Sequence, residues 1–273
     1  MFDFSLAILE NLVSAVVIAA LSVLVLIGLS RRRTRHLGAF FGLGPGTRSI
    51  LIILSRYQPM AKTVELPEGE QSVGYRDETV PASEFQGALK LLELLDSKWL
   101  IASFRTLVEG LFTGELGFGK VSVKIIPVPQ EELGRGRGPM ILMGTGASDS
   151  NSISEVYLGG EVRCSAYRFV KHEGERAFER VAVRGYSPAK YYAKDYSPAE
   201  LALIQRYRNA DGSVVFLCAG KNVGGSSIAA EFLARNWNDL YDEFGGSDRG
   251  NFARLYTFSG SPAEFNIVDT VKF

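Results

Sequence analysis

From Leu12 to Leu29 the chain reads LVSAVVIAALSVLVLIGL, apolar at almost every position and free of charge. As a helix rising ~1.5 Å per residue, this stretch covers about 27 Å, close to the hydrocarbon thickness of a bilayer. A run of this kind is either a membrane span or a helix buried in a soluble core. Its length and flanks favour the span. Asp3 and Glu10 precede it, and Arg31, Arg32, Arg33 and Arg35 follow directly. A cleaved secretory signal has the opposite order, with positive charge first and a small-residue cleavage site after. The positive-inside tendency then predicts a single-pass protein of the inner membrane, N-terminus outside and everything beyond Arg31 in the cytoplasm. Glu10 and Asn11 fall at the outer end, either in the headgroup region or facing a partner helix in an oligomer.

Beyond the arginines the pattern becomes that of a globular domain. His36–Gly46, HLGAFFGLGPG, reads as a juxtamembrane connector, with Phe40 and Phe41 resting on the membrane interface or on the domain. Ser49–Leu54, SILIIL, is continuously apolar and β-branched, as in a strand buried on both faces of a parallel sheet. Residues 55–80 are polar and read as a long loop. Pro81–Leu95 predicts a helix with Phe85, Ala88, Leu89, Leu92 and Leu95 on one face, and Lys98–Phe112 predicts another. Val121–Val128 and Pro139–Met143 are strand candidates, separated by a solvated Gly-Arg turn. Val162–Val170 and Phe178–Tyr186 suggest an antiparallel pair joined by a charged turn at 172–176. Ser197–Glu200 carries a capping-box pattern, whereas Leu201–Asn209, the turn Ala210-Asp211-Gly212-Ser213 and VVFLC read as a hairpin; one helical turn followed by a strand is the reading favoured. The fold class expected is α/β: a transmembrane anchor and basic flank over 1–36, then a cytoplasmic domain over 37–273. That domain is expected to hold a mostly parallel sheet with an antiparallel β extension.

Charge adds exclusions. The 30 basic and 30 acidic residues of the 273-residue chain cancel, and the pI is near 6.8. This argues against nucleic acid as a partner; the arginine cluster fits topology and anionic lipid headgroups, so the bilayer is the expected partner. Cys164 and Cys218 form no disulfide framework, and two histidines without ligand spacing predict no zinc site.

Two strand–loop–helix units carry the candidate chemistry. In the first, MILM runs into Gly144-Thr145-Gly146-Ala147-Ser148-Asp149-Ser150-Asn151, and Ser152–Glu155 forms a capping box. The loop departs from GxGxxG, having Asp149 where the third glycine belongs, which argues against the common dinucleotide fold. Asp149 and Asn151 either read ribose hydroxyls or a base edge, or simply cap the helix. In the second unit VVFLC leads through Ala219-Gly220-Lys221-Asn222-Val223-Gly224-Gly225-Ser226-Ser227 into an amphipathic helix over Ile228–Phe244. Such a turn converges backbone N–H groups at a helix N-terminus, where an anion is favoured. Lys221 would add charge, and Asn222 and Ser226 hydrogen bonds. A P-loop would need Ser or Thr directly after Lys221, so NTP hydrolysis is poorly supported. Glycines that merely turn the chain are the alternative. The ligand set expected is Gly144, Thr145, Gly146, Asp149, Asn151, Gly220, Lys221, Asn222, Gly224, Gly225 and Ser226, around a nucleotide-like ligand; no cofactor or catalytic residue is assigned.

At these residues the chain resembles a group of bacterial single-span membrane-anchored α/β proteins. They share a connector like FFGL, a strand like ILIILSR, a helix like ASEFQGALKLLELL, a loop like GTGASDSNSISE and a unit like FLCAGKNVGGSSIAAEFL. More loosely it is similar to nucleotide-sensing effectors of antiphage systems, which implies a role in defence signalling. The leading expectation is a membrane-anchored sensor or effector binding a nucleotide or other anionic ligand. The alternatives are a nucleotide N-glycosidic-bond hydrolase or transferase drawing on Asp149, Glu155 or Glu231, and a protein-interaction module that recruits a partner to the membrane; a homo-oligomer or a protein partner is a further expectation.

Overall fold

The structure is a computed structural model that describes residues 2–43, 49–55, 62–66, 69–73, 81–95, 122–127, 138–144, 166–172, 175–183, 185–196, 199–209, 211–220, 223–244, 250–259 and 264–273. The expected helix at 98–112, the Gly-Arg turn and the capping box at 152–155 lie outside these residues.

α1 (Phe2–Phe41) is one unbroken helix. The connector expected at 36–46 is therefore helical as far as Phe41. It ends because Gly42 takes a left-handed φ of 71°, which lets Leu43 N–H reach back to the Gly38 carbonyl at 2.7 Å, a C-terminal glycine cap. A Cβ at residue 42 would lie 2.7 Å from the Val214 Cβ, so the close approach also demands glycine. Val13, Ile18, Leu24 and Leu29 are about 55–64% exposed. Among the described residues no helix is long and apolar enough to cross a membrane. The side chains of Leu12, Leu26 and Ile27, within the expected span, lie outside the described set.

The domain is built on β1 (Ser49–Leu54), β4 (Ser122–Pro127), β5 (Met140–Met143), β9 (Glu200–Arg208), β10 (Val214–Gly220), β11 (Phe252–Ser259) and β12 (Glu264–Lys272). They form one seven-stranded sheet in the order β12-β11-β9-β10-β5-β1-β4. β4, β1, β5 and β10 are mutually parallel, whereas β9, β11 and β12 pair antiparallel. A hairpin, β2 (Lys62–Leu66) with β3 (Gly69–Val73), stands in the stretch expected to be loop. The antiparallel extension is a separate sheet of β6 (Tyr167–His172), β7 (Glu175–Arg180) and β8 (Ala189–Tyr192).

β9 corrects the expected helical turn at 197–200: the strand begins at Glu200, and a short 3-10 helix over Ala193–Tyr196 precedes it. Leu201–Tyr207 is buried on both faces, between β10 and β11, so burial outweighs the local capping pattern. Two polar side chains inside this strand find specific work. Gln205 accepts from the N–H groups of Ala166 and Tyr167 at 3.2 and 3.3 Å, pinning the small sheet to the large one. Arg206 donates to the carbonyls of Phe40 at 3.0 Å, Ala39 at 3.3 Å and Gly250 at 2.5 Å. It thus satisfies the orphan carbonyls at the end of α1 and complements the negative end of that helix.

α2 (Ala82–Leu95) and α3 (Val223–Phe244) cover one face of the large sheet together with the end of α1. Phe40 and Phe41 are core residues: Phe40 packs on Phe216, Trp237, Tyr241 and Phe252, and Phe41 on Phe216. His36 stacks on Tyr241 at 4.5 Å. The small sheet covers the opposite face, through Tyr167 and Phe178 against Leu203, Leu217 and Leu255. Asp269 on β12 fastens that contact, accepting from Arg180 at 2.6 Å, from Tyr191 at 2.7 Å and from Tyr167. The buried face of α2 runs through Glu84, Gly87, Ala88, Leu91 and Leu95. The expected face was rotated, since Phe85 is 45% exposed.

Candidate functional site

In sheet order the chain places β4 on one side of β1 and β5, then β10, on the other. Strand order therefore reverses between β1 and β5, and the crevice beyond their C-terminal ends is the usual ligand edge of such a sheet. The residues there are Ser55, directly after β1, Gly144, directly after β5, and Glu84 in the first turn of α2.

Glu84 is 1% exposed. Its Oε2 accepts from the Ser55 backbone N–H at 2.8 Å, and its Oε1 lies 3.0 Å from the Ser55 Oγ. The same hydroxyl is 3.2 Å from the Met143 carbonyl. Burial pushes the Glu84 carboxyl above the ordinary glutamate range, against the lowering effect of both Ser55 bonds. Gly144 closes the group. Its φ is +97°, its N–H donates to the Cys218 carbonyl of β10 at 3.0 Å, and a Cβ there would sit 2.1 Å from the Ser55 Oγ. Glycine is thus required by conformation and by contact at the mouth of the 144–151 loop.

The second glycine unit takes a different form from the turn expected. β10 extends to Gly220 and α3 starts at Val223, five residues before Ile228, so Gly224, Gly225 and Ser226 belong to the first turn of the helix. A Cβ on Gly220 would lie 2.4 Å from Gly225 backbone carbon, and one on Gly225 would lie 2.9 Å from Gly220 Cα. These two glycines let strand and helix touch, the packing role that the turn-only alternative anticipated in part. Ser226 is buried, and Ser227 donates to the Ser83 carbonyl at 2.5 Å, which joins the first turns of α3 and α2. Thr145, Gly146, Asp149, Asn151, Lys221 and Asn222 lie outside the described residues, as does Glu155. Of the expected set the structure brings together Gly220 with Gly225, and sets Gly144 against β10 two residues before its end. Glu231 pairs with Arg235 one turn along α3, as a solvated helix residue does.

Ser55 and Glu84 were not among the sequence candidates. A signal existed: Glu84 is in helical phase with Ala88, Leu91 and Leu95, so a carboxyl falls on the buried stripe of an amphipathic helix. Among the described residues no group of His, Cys, Asp and Glu side chains is arranged to hold a metal ion. Comparison with protein-family models, curated proteins and solved structures finds no match to this chain.

Proposed function

We propose that the chain is a membrane-anchored sensor or effector whose cytoplasmic domain binds a nucleotide or another anionic small ligand at the C-terminal ends of β1, β5 and β10. The observation that carries the ligand half is the meeting of Ser55, Glu84 and Gly144 at the strand-order reversal, beside the first turn of α3. Gly144 and Gly220, the last described residues before 145–151 and 221–222, stand at this edge together with the first turns of α2 and α3.

The anchor half is supported by the apolar side chains exposed on several sides of α1 between Val13 and Leu29, which water would not tolerate uncovered. Ser22 directs its hydroxyl to the Ile18 carbonyl at 2.8 Å, the arrangement a hydroxyl takes where lipid offers no partner. Phe40, Phe41 and Arg206 tie the end of α1 to the domain core, a continuity that a sensor coupled to an anchor requires. The looser resemblance to antiphage effectors sets defence signalling as the context of this reading.

The full-length chain in detergent, heated against a panel of nucleotides, tests it. At a ligand concentration of 100 Kd the expected stabilisation is about 2.7 kcal/mol, or roughly 5–10 °C. A flat response across the panel rejects the ligand, and release of the chain by alkaline carbonate without detergent rejects the anchor. The hydrolase reading draws on Glu84, a buried carboxyl at the same edge. Appearance of free base on incubation with NAD or nucleosides, lost in Glu84→Gln, would favour it over binding alone.

A further inference from the structure

We propose that Glu84 stands in this edge as a neutral carboxylic acid, the head of a hydrogen-bond chain running through the Ser55 hydroxyl to the Met143 carbonyl. The geometry of Ser55 is the reason. A hydroxyl has one hydrogen, yet the Ser55 Oγ is within bonding distance of two acceptors, Glu84 Oε1 at 3.0 Å and the Met143 carbonyl at 3.2 Å. If Glu84 is ionised, that hydrogen must turn to the carboxylate, and the contact with Met143 has no proton in it. If Glu84 carries a proton on Oε1, it donates to Ser55, and Ser55 in turn donates to Met143. Glu84 Oε2 still accepts from the Ser55 N–H at 2.8 Å. Only the protonated arrangement puts a hydrogen on every contact.

The surroundings agree. Glu84 is 1% exposed; its carboxyl bonds Ser55, which in turn contacts the Met143 carbonyl, and it lies beside Gly144. None of these carries a charge, so an ionised carboxylate would lack a counter-charge among the described residues, a costly state. Burial acts on the titration of Glu84 in the same sense. A neutral acid also answers a question the proposed function raises: an ionised carboxylate would repel an anionic ligand at this edge, and a neutral one does not. That consequence rests on the ligand reading; the protonation state does not.

The test needs no ligand. Urea unfolding of the full-length chain in detergent is followed from below the ordinary glutamate range to neutral pH, for wild type and Glu84→Gln. A carboxyl whose folded pKa is raised contributes stability that is present below its unfolded pKa and lost as pH rises towards its folded pKa. The unfolding constant of wild type relative to Glu84→Gln should therefore climb about tenfold per pH unit over that window. A ratio that stays constant, or falls with rising pH, overturns the proposal. Should Glu84→Gln fail to fold, infrared spectroscopy of the wild-type chain decides. A buried carboxylic-acid C=O band persisting at neutral pH and shifted in Ser55→Ala supports the neutral acid; no such band, or one that Ser55→Ala leaves in place, overturns it. A nucleotide panel without effect would reject the ligand reading and leave both of these outcomes standing.

Discussion

Arg206→Met asks how firmly the N-terminal helix is seated in the domain. The substitution keeps an apolar stem of similar reach and removes the guanidinium, which donates to Phe40, Ala39 and Gly250 and lies 5.8 Å from the Phe40 ring. Arg206 is 4% exposed, so the carbonyls it leaves gain little water in exchange. A buried acceptor left unmade costs about 1–3 kcal/mol, and a charge-assisted bond contributes about 1.5–3 kcal/mol. Three such contacts, less the desolvation of the guanidinium that methionine avoids, give an expected loss of about 2–4 kcal/mol. For a domain of this size that is roughly 5–15 °C in Tm. The loss should also be local: α1 should leave its socket before the sheet unfolds, so trypsin should cut at Arg31–Arg35 faster in Arg206→Met at temperatures where the domain retains its circular dichroism. Phe40→Ala, which empties the same socket, should cost about 3–5 kcal/mol alone and less than additively with Arg206→Met. If Arg206→Met lies within about 0.5 kcal/mol of wild type and its cleavage rate is unchanged, α1 is not held by this contact and is not continuous with the domain core.

Other expectations follow from the same geometry. Gly144→Ala places a Cβ 2.1 Å from the Ser55 Oγ at a φ of +97°, so it should lose about 2 kcal/mol or more in urea unfolding; wild-type stability would refute the close approach. Gly225→Ala, meeting Gly220 Cα at 2.9 Å, should lower Tm, whereas Gly212→Ala, with open space around its Cβ position, should cost only the strain of its positive φ. For Asp269, burial works to raise the pKa, but the hydrogen bonds from Tyr167 and Tyr191 and the Arg180 charge outweigh it, so the carboxyl sits below the ordinary aspartate range. Its contribution is therefore present above the unfolded aspartate pKa and is lost as pH falls through the lower folded value. Asp269→Asn should accordingly destabilise the chain at neutral pH and much less in strong acid, as read from urea midpoints; an equal loss at both would refute the charge-based latch.

The local pattern of side chains was enough to place β1, β5 and β10, because strands covered on both faces need unbroken apolar runs. It also located α2 and the C-terminal part of α3, whose stripes recur at helical spacing, and it marked Gly144, Gly220 and Gly225 as positions where the backbone does something a side chain would prevent. The sequence read β9 wrongly at its start, because the Ser197–Glu200 pattern is local whereas the burial of Leu201–Tyr207 between β10 and β11 comes from strands that follow it in the chain. The same holds for the pairs that define the candidate site and the seat of α1. Ser55 meets Glu84 across 29 positions, and Arg206 meets Phe40 across 166. No spacing rule links residues that far apart. A carboxyl becomes an internal partner, and two phenylalanines after a membrane-like run become core, only once the sheet has brought their elements together and excluded water from between them.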